Sequence, residues 1–216
     1  MPALVGKAKP LLLDLFSGAG GAAVGYARAG FEVVGVDLAP QKNYPFKFIQ
    51  ADALDYVAGH GWRYDAIHAS PPCEGFSHLT PKKHRAKHLN LIPHTRYFLQ
   101  ALGVPYVIEN VYNARKQLHN PIMLCGTMFH LPIERHRVFE IYPETFELLP
   151  PCCHAEKPIP INSSCAQRTA NKAECSIGLG GVYWMTRDEM RKAIPPAYTD
   201  FIGAQLLRHI EGKLLA

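Results

Sequence analysis

Short apolar runs that end in glycines or carboxylates recur along the first part of this chain, and no other feature restricts its fold as much. Leu11-Leu12-Leu13-Asp14-Leu15-Phe16 is such a run, and its length and continuity predict a parallel strand buried on both faces. Gly18 to Gly21 then form a turn, and Ala22 to Ala29 a short helix of small residues. Glu32 to Asp37 reads as a second strand, Lys47 to Gln50 as a third, and Tyr64 to Ala69 as a fourth that runs into Ser70-Pro71-Pro72-Cys73. Pro105 to Asn110 is a fifth, after a helix around Thr95 to Leu102. This alternation predicts an α/β fold with a mostly parallel sheet. Right-handed crossovers set the strand C-termini along one edge, where ligands bind. Asp14, Asp37, Asp52, Cys73 and Glu109 lie at or just past those ends.

The pattern fades after Tyr142. Pro143 to Gly181 is rich in Pro, Cys, Ser and Asn and predicts an irregular insert. Order returns at Thr186 with a short helix that Pro195-Pro196 stops, and Thr199 to Leu207 reads as a final amphipathic helix. The expected division is a cofactor-binding domain over 1–142, a small insert over 143–182, and a helical segment over 183–216 that returns to the first domain. A chain of 216 residues, 48% hydrophobic, can bury one substantial core. No apolar stretch reaches membrane-spanning length, and Met1-Pro2-Ala3-Leu4 does not open a secretory signal, so the expected location is cytoplasmic.

Four segments carry chemistry. In Asp14 to Gly21, glycines after a strand let the backbone approach a ligand, and Asp37 at the next strand end suits ribose hydroxyls. In Ser70 to Ser77, a Pro-stiffened loop presents Cys73, a residue that needs only partial ionisation to attack an electrophilic carbon. Glu109-Asn110-Val111 sets a carboxyl at a buried strand end, where a raised pKa makes it a proton donor. In Arg135-His136-Arg137, alternation aims both arginines to one side of an extended segment. Each segment alone also has a plain structural reading: a turn, a core thiol, a helix cap, a solvated basic edge.

Taken together and in this order, the segments resemble the cytosine-5 DNA methyltransferase family. Asp14 to Gly21 resembles its adenosyl-binding motif, and Pro72-Cys73-Glu74-Gly75-Phe76-Ser77 its Pro-Cys-Gln-x-Phe-Ser loop. Glu109-Asn110-Val111 resembles its Glu-Asn-Val motif, and Arg135-His136-Arg137 its Arg-x-Arg element. The resemblance implies a Rossmann-like S-adenosylmethionine-dependent methyltransferase sheet and methyl transfer to carbon 5 of cytosine in DNA. It implies Cys73 as covalent nucleophile, with Glu109, Arg135 and Arg137 as its catalytic partners. Asp14, Phe16, Ser17, Gly18, Gly20, Asp37, Leu38, Asp52, Ala53 and Pro72 are the implied S-adenosylmethionine residues. Ser77, Lys82, Lys83, Arg85 and Lys87 are the implied DNA contacts, and residues 143–182 the implied target-recognition insert.

Three positions depart from the family pattern. Glu74 stands where the family has Gln, Ile133 where a Gln opens the arginine motif, and Ala193 to Gly203 only loosely follows the last motifs. The insert is short and the chain compact, which suggests a phage-like enzyme; a monomer on double-stranded DNA is the expectation. A free nucleotide or RNA substrate, and a catalytically silent nucleic-acid-binding module, are the alternatives. Lys82 to His88 favours a polyanion. Lys plus Arg number 23 against 18 Asp plus Glu, a net +5 that permits nucleic-acid binding without requiring it. Cys152, His154, Cys165 and Cys175 are candidate zinc ligands, though their spacing lacks paired Cys-x-x-Cys.

Overall fold

A computed structural model describes residues 8–77, 80–85, 87–144, 149–154, 157–161 and 170–214. The strands are β1 (Leu11–Leu15), β2 (Glu32–Asp37), β3 (Lys47–Gln50), β4 (Ala66–Ala69), β5 (Tyr106–Val111), β6 (Ile122–Leu124) and β7 (Arg137–Tyr142). They form one sheet in the order β3-β2-β1-β4-β5-β7-β6. The first five are mutually parallel, and β7 runs antiparallel to both β5 and β6. The chain moves outward from β1 through β3 and then returns to β4 on the other side. This reversal opens a crevice at the C-terminal ends of β1 and β4.

The helices are α1 (Gly21–Ala29), α2 (Ala53–His60), α3 (Lys82–Arg85), α4 (Ile92–Leu102), α5 (Lys172–Gly178), α6 (Arg187–Lys192) and α7 (Pro196–Leu214). Strand alternation divides the core between two faces. Leu12 and Val33 pack with Tyr26 of α1 and with Tyr198, Ile202 and Leu206 of α7. Leu13, Leu15, Val34 and Val36 pack on the other face with Val57 of α2 and Leu99 of α4. This two-sided covering explains why the strands read as continuous apolar runs.

Small residues make the α1–α7 contact possible. A Cβ on Gly25 would sit 2.0 Å from Thr199 Oγ1, and one on Gly21 would sit 2.5 Å from the Ile194 carbonyl oxygen. Thr199 Oγ1 donates to the Ala22 carbonyl oxygen at 2.8 Å, which binds the two helices where they approach.

Several elements differ from the sequence expectation. α7 starts at Pro196, because proline suits a helix's first turn, and runs on to Leu214. The expected irregular insert contains α5, whose Asn171 and Glu174 cap one another's backbone N–H groups. Ile161, Cys175, Leu179 and Val182 share one apolar cluster with Met185, Met190 and Ala193, so packing runs straight through residues 182 and 183. Among the described residues no helix is long and apolar enough to cross a membrane.

A buried ion pair braces the far side of the sheet. Arg96 of α4 donates to Glu140 of β7 through Nε at 2.8 Å and Nη2 at 2.6 Å. The Tyr106 hydroxyl and the His119 N–H also donate to that carboxylate. Burial alone would raise the Glu140 pKa, but the Arg96 bonds and the His119 N–H outweigh it and hold it below the usual carboxylate value.

Candidate active site

The loop after β1 is held in conformations that ordinary residues avoid. Phe16 has φ 56°, Gly18 49° and Gly20 85°. The fold secures them from β2: Ser17 N–H donates to the Val36 carbonyl at 3.1 Å, and Gly18 N–H to Asp37 Oδ2 at 2.9 Å. The other Asp37 oxygen accepts from Ala39 N–H at 3.0 Å. A Cβ added to Gly18 would meet nothing within 4 Å, so the loop borders open space there. Leu38, next to Asp37, is 71% exposed, and Pro72 is also exposed. Asp52 caps α2 through Oδ1, at 2.8 Å from Leu54 N–H, while Ala53 and Ser17 are buried.

Asp14, expected among the cofactor residues, is placed in the sheet interior instead, 1% exposed. It pairs in register with Gly35, whose missing side chain makes room for the Tyr44 ring, and the Tyr44 hydroxyl donates to Asp14 Oδ2 at 3.2 Å. Burial raises its pKa well above the usual carboxylate value, opposed by the Tyr44 bond and reinforced by Asp37.

Cys73 is half-buried on the loop beyond β4. Ser70 N–H donates to the Leu15 carbonyl at 3.1 Å, which joins this loop to the glycine loop. Phe76 and Ser77 N–H groups donate to the Cys73 carbonyl at 2.9 and 2.8 Å, closing a tight turn. Two asparagines clamp it from β5 and the turn that follows. Asn110 Nδ2 donates to the Pro71 carbonyl at 2.9 Å, and Asn113 Nδ2 to the Phe76 carbonyl at 3.0 Å. Asn113 was illegible in the sequence, since an asparagine two residues past a motif carries no signal of its own. Burial, then Glu109 and Glu74, push the Cys73 thiol above its ordinary value against the pull of Arg137.

Glu109 is 5% exposed. In the β5–β7 ladder Arg137 lies opposite Val111, so its side chain shares a face with Glu109 two residues back. Arg137 Nε lies 2.9 Å from Glu109 Oε1, yet that oxygen has no hydrogen-bond partner among the described residues. The contact is an ion pair whose N–H points elsewhere, which leaves Oε1 able to accept. Burial raises the Glu109 pKa, against the opposing pull of Arg137, Ser70 and Arg135. Arg135 is buried, donates through Nη2 to the Arg191 carbonyl at 2.7 Å, and also has an unpartnered Nε among the described residues.

Behind Glu109 runs a buried polar chain of residues absent from the expected site. Ser70 Oγ, whose proximity helps hold the Glu109 pKa down, lies 2.8 Å from His68 Nε2, while His68 Nδ1 lies 3.0 Å from the Tyr26 hydroxyl. A hydroxyl has one hydrogen. With Ser70 donating to Glu109, its oxygen accepts from His68 Nε2–H, and Nδ1 accepts from Tyr26. Burial pushes the His68 pKa down to about 3, so the ring stays neutral and able to relay in this sense.

Residues from the chain's last third reach the glycine loop and the segment between β2 and β3. Trp184 Nε1 donates to the Ala19 carbonyl at 2.9 Å, and Asn43 Nδ2 to Glu189 Oε2 at 2.9 Å. Ile133, in place of the family's Gln, is buried in the apolar cluster that contains Ala19. Of the basic segment, Lys83 and Lys87 are exposed and Ser77 is half-buried; the side chains of Lys82 and Arg85 lie outside the described residues. Of the candidate zinc ligands, Cys152 and His154 converge with Cys125 and His136. Cys175 is sealed among apolar residues, its thiol 3.8 Å from the Ala170 carbonyl, because α5 turns it into that core; Cys165 lies outside the described residues.

A parallel sheet reversed at β1/β4, with one antiparallel strand inserted beside β5, is an α/β Rossmann-like methyltransferase fold. The methyltransferase EhMeth from Entamoeba histolytica shares it, with a TM-score of 0.58, 13% identity, and coverage of 96% of this chain and 99% of that one. Residues 11–124 match the C-5 cytosine-specific DNA methylase family, and the chain belongs to that family. It is 31% identical over 120 residues to the Type II methyltransferase M.XorII of Xanthomonas oryzae pv. oryzae, covering 48% of this chain and 28% of that protein. It is 36% identical over 73 residues to the Type II methyltransferase M.FnuDI of Fusobacterium nucleatum, covering 31% and 21%. The matched regions therefore span under a third of these relatives' lengths.

Proposed function

We propose that this chain methylates carbon 5 of cytosine in double-stranded DNA with S-adenosylmethionine, through covalent addition of Cys73 to carbon 6. The observation that carries this reading is the Cys73 loop, clamped by Asn110 and Asn113, beside a buried carboxylate whose Oε1 has no hydrogen-bond partner among the described residues. Family membership and the Type II methyltransferase names of the relatives support the substrate class.

The residues present fit the cofactor. Open space beside Gly18, the exposed Leu38 and Pro72, and the Asp37 and Asp52 carboxylates would line a cradle with apolar walls and polar ends. Asp37 would take ribose hydroxyls, Asp52 the adenine amine, and Leu38 and Pro72 the adenine faces. When bound, the cofactor supplies an electrophilic methyl group.

The chain's own residues make the base reactive. The Cys73 thiolate adds to carbon 6, forming a carbon–sulfur bond and an electron-rich carbon 5. Glu109 Oε1 accepts from the exocyclic amine, and the protonated carboxyl holds N3, where charge develops. Loss of the negative charge on Glu109 also removes a contribution that keeps the Cys73 thiol protonated, so binding the base and arming the nucleophile act together. After carbon 5 is methylated, loss of its proton returns an electron pair to the ring and expels the thiolate. A base within a duplex must leave the stack to reach Cys73, at a cost of a few kcal/mol. Lys83 and Lys87, with Ser77, Lys82 and Arg85, would hold the phosphates, and residues 143–182 would contribute target recognition.

The test is incubation with DNA and methyl-labelled cofactor, followed by bisulfite sequencing. Label in DNA, with protected cytosines in one recurring context, is expected. Label in RNA or cytidine nucleotides but not in DNA would reassign the substrate.

A further inference from the structure

Outside the proposed reaction centre, four metal-ligating side chains meet at one point. Ligand atoms of Cys125, His136, Cys152 and His154 all lie within 4.8 Å of one another. Cys125 Sγ is 3.4 Å from His154 Nε2, and Cys152 Sγ is 3.8 Å from His136 Nε2. A tetrahedral zinc ion, with bonds of about 2.3 Å to sulfur and about 2.0–2.1 Å to nitrogen, separates its ligands by roughly 3.3–3.8 Å. The two sulfur–nitrogen separations already lie in or at the edge of that range.

Backbone geometry brings the four together by two simple devices. Leu124 of β6 pairs with Arg137 of β7, so the next residues outward, Cys125 and His136, stand as neighbours across the ladder. Cys152 and His154 are two apart on the segment 149–154, a spacing that sets side chains on one face of extended chain. Outer contacts suit a metal site as well. Thr127 Oγ1 donates to Cys125 Sγ at 3.4 Å, and Glu134 Oε2 lies 3.8 Å from His154 Nδ1, the ring nitrogen facing away from the thiol. A carboxylate behind a ligating histidine orients the ring toward its metal.

The geometry points to a structural zinc site made by Cys125, His136, Cys152 and His154. All four positions belong to the protein, so the site is closed and holds no place for a reacting water. Its position gives it a purpose. His136 is the central residue between Arg135 and Arg137, so the ion ties the segment carrying Cys152 and His154 to the strand that carries both arginines. Zinc thereby supplies a short insert with the rigidity that a small core cannot. The inference stands apart from the methyl-transfer reading, because Cys73 and Glu109 are not ligands.

The test is metal analysis of the whole chain purified under reducing conditions without chelator. About one zinc per chain is expected, and cobalt substitution should give the visible bands and thiolate charge-transfer absorption of a tetrahedral site with two sulfurs. Cys152→Ser and His154→Ala should each lower retained zinc at least tenfold, while Cys153→Ser and Cys73→Ala keep it. The cobalt spectrum needs no variant, so a variant that fails to fold leaves the test intact. A folded chain without zinc that gives no tetrahedral cobalt spectrum would overturn the site, as would full zinc in Cys152→Ser. A zinc-loaded chain that forms no adduct with DNA would count against the methyl-transfer reading alone.

Discussion

Arg137 Nε lies 2.9 Å from Glu109 Oε1 without directing a hydrogen at it. The guanidinium therefore holds the carboxylate by charge and leaves its lone pair for another donor. Substituting Arg137 by Ala removes that charge, and burial then raises the Glu109 pKa further. Methyl transfer is expected to fall about 10²–10³-fold, the usual cost of one lost electrostatic partner at a reacting centre. Arg137→Lys keeps a positive charge near the carboxylate and should restore a large part of the loss. Single-turnover rates at saturating DNA measure this.

Glu74 stands where the family has Gln, and its charge is among those that raise the Cys73 pKa. Iodoacetamide reacts with the thiolate. Cys73 in the substrate-free chain should thus alkylate more slowly near neutral pH than an unperturbed thiol, with its midpoint on the alkaline side. Glu74→Gln should speed it by roughly 2- to 5-fold, the size of an exposed charge contact. Peptide mass spectrometry of the Cys73 fragment across pH reads both effects.

Arg96 and Glu140 form a buried pair with additional donors from Tyr106 and His119. Arg96→Met leaves a buried carboxylate uncompensated, and the expected loss is on the order of 3–5 kcal/mol. Glu140 is depressed below 4.5 in the folded state. Its contribution is therefore full above that value and disappears as pH falls through the depressed one. Urea unfolding of wild type and variant should converge toward acid.

Asp14 titrates in the opposite sense. Its folded pKa is raised well above 3.8, so its contribution is present below that value and is lost as pH rises through the raised one. Asp14→Asn keeps an acceptor for the Tyr44 hydroxyl and cannot ionise. The variant's stability advantage should grow as pH rises above 3.8 and level off once Asp14 ionises in the folded chain, by at most about 1.4 kcal/mol per pH unit. Thermal denaturation across that range tests it.

What sequence could show depended on whether a signal was local. β1, β2, β4 and β5 announced themselves because a doubly covered parallel strand is a continuous apolar run between breakers. β6 was missed since its three residues carry no period, and α5 since its Asn171–Glu174 cap sits in a Pro- and Cys-rich stretch. The motif residues Cys73, Glu109 and Arg137 were readable, but the contacts that organise them were not. His68 looked like one more strand residue, and its link from Tyr26 through Ser70 to Glu109 depends on three separate strands and helices meeting. The Cys125–His136–Cys152–His154 group was hidden for the same reason. Two of its members, Cys125 and His136, are cross-strand neighbours far from Cys152 in sequence, so local clustering grouped Cys152 and His154 with Cys165 and Cys175 instead.

In the proposed reaction one thiol adds to the cytosine ring while Glu109 steadies its far side. DNA in which cytosine is replaced by 5-fluorocytosine blocks the final proton loss, and so traps that adduct. With S-adenosylmethionine present, the expected result is a protein–DNA species stable to denaturation, mapped to Cys73, absent in Cys73→Ala and strongly reduced in Glu109→Gln. Tight DNA binding with no denaturation-stable species, or an adduct that survives in Cys73→Ala, would contradict it.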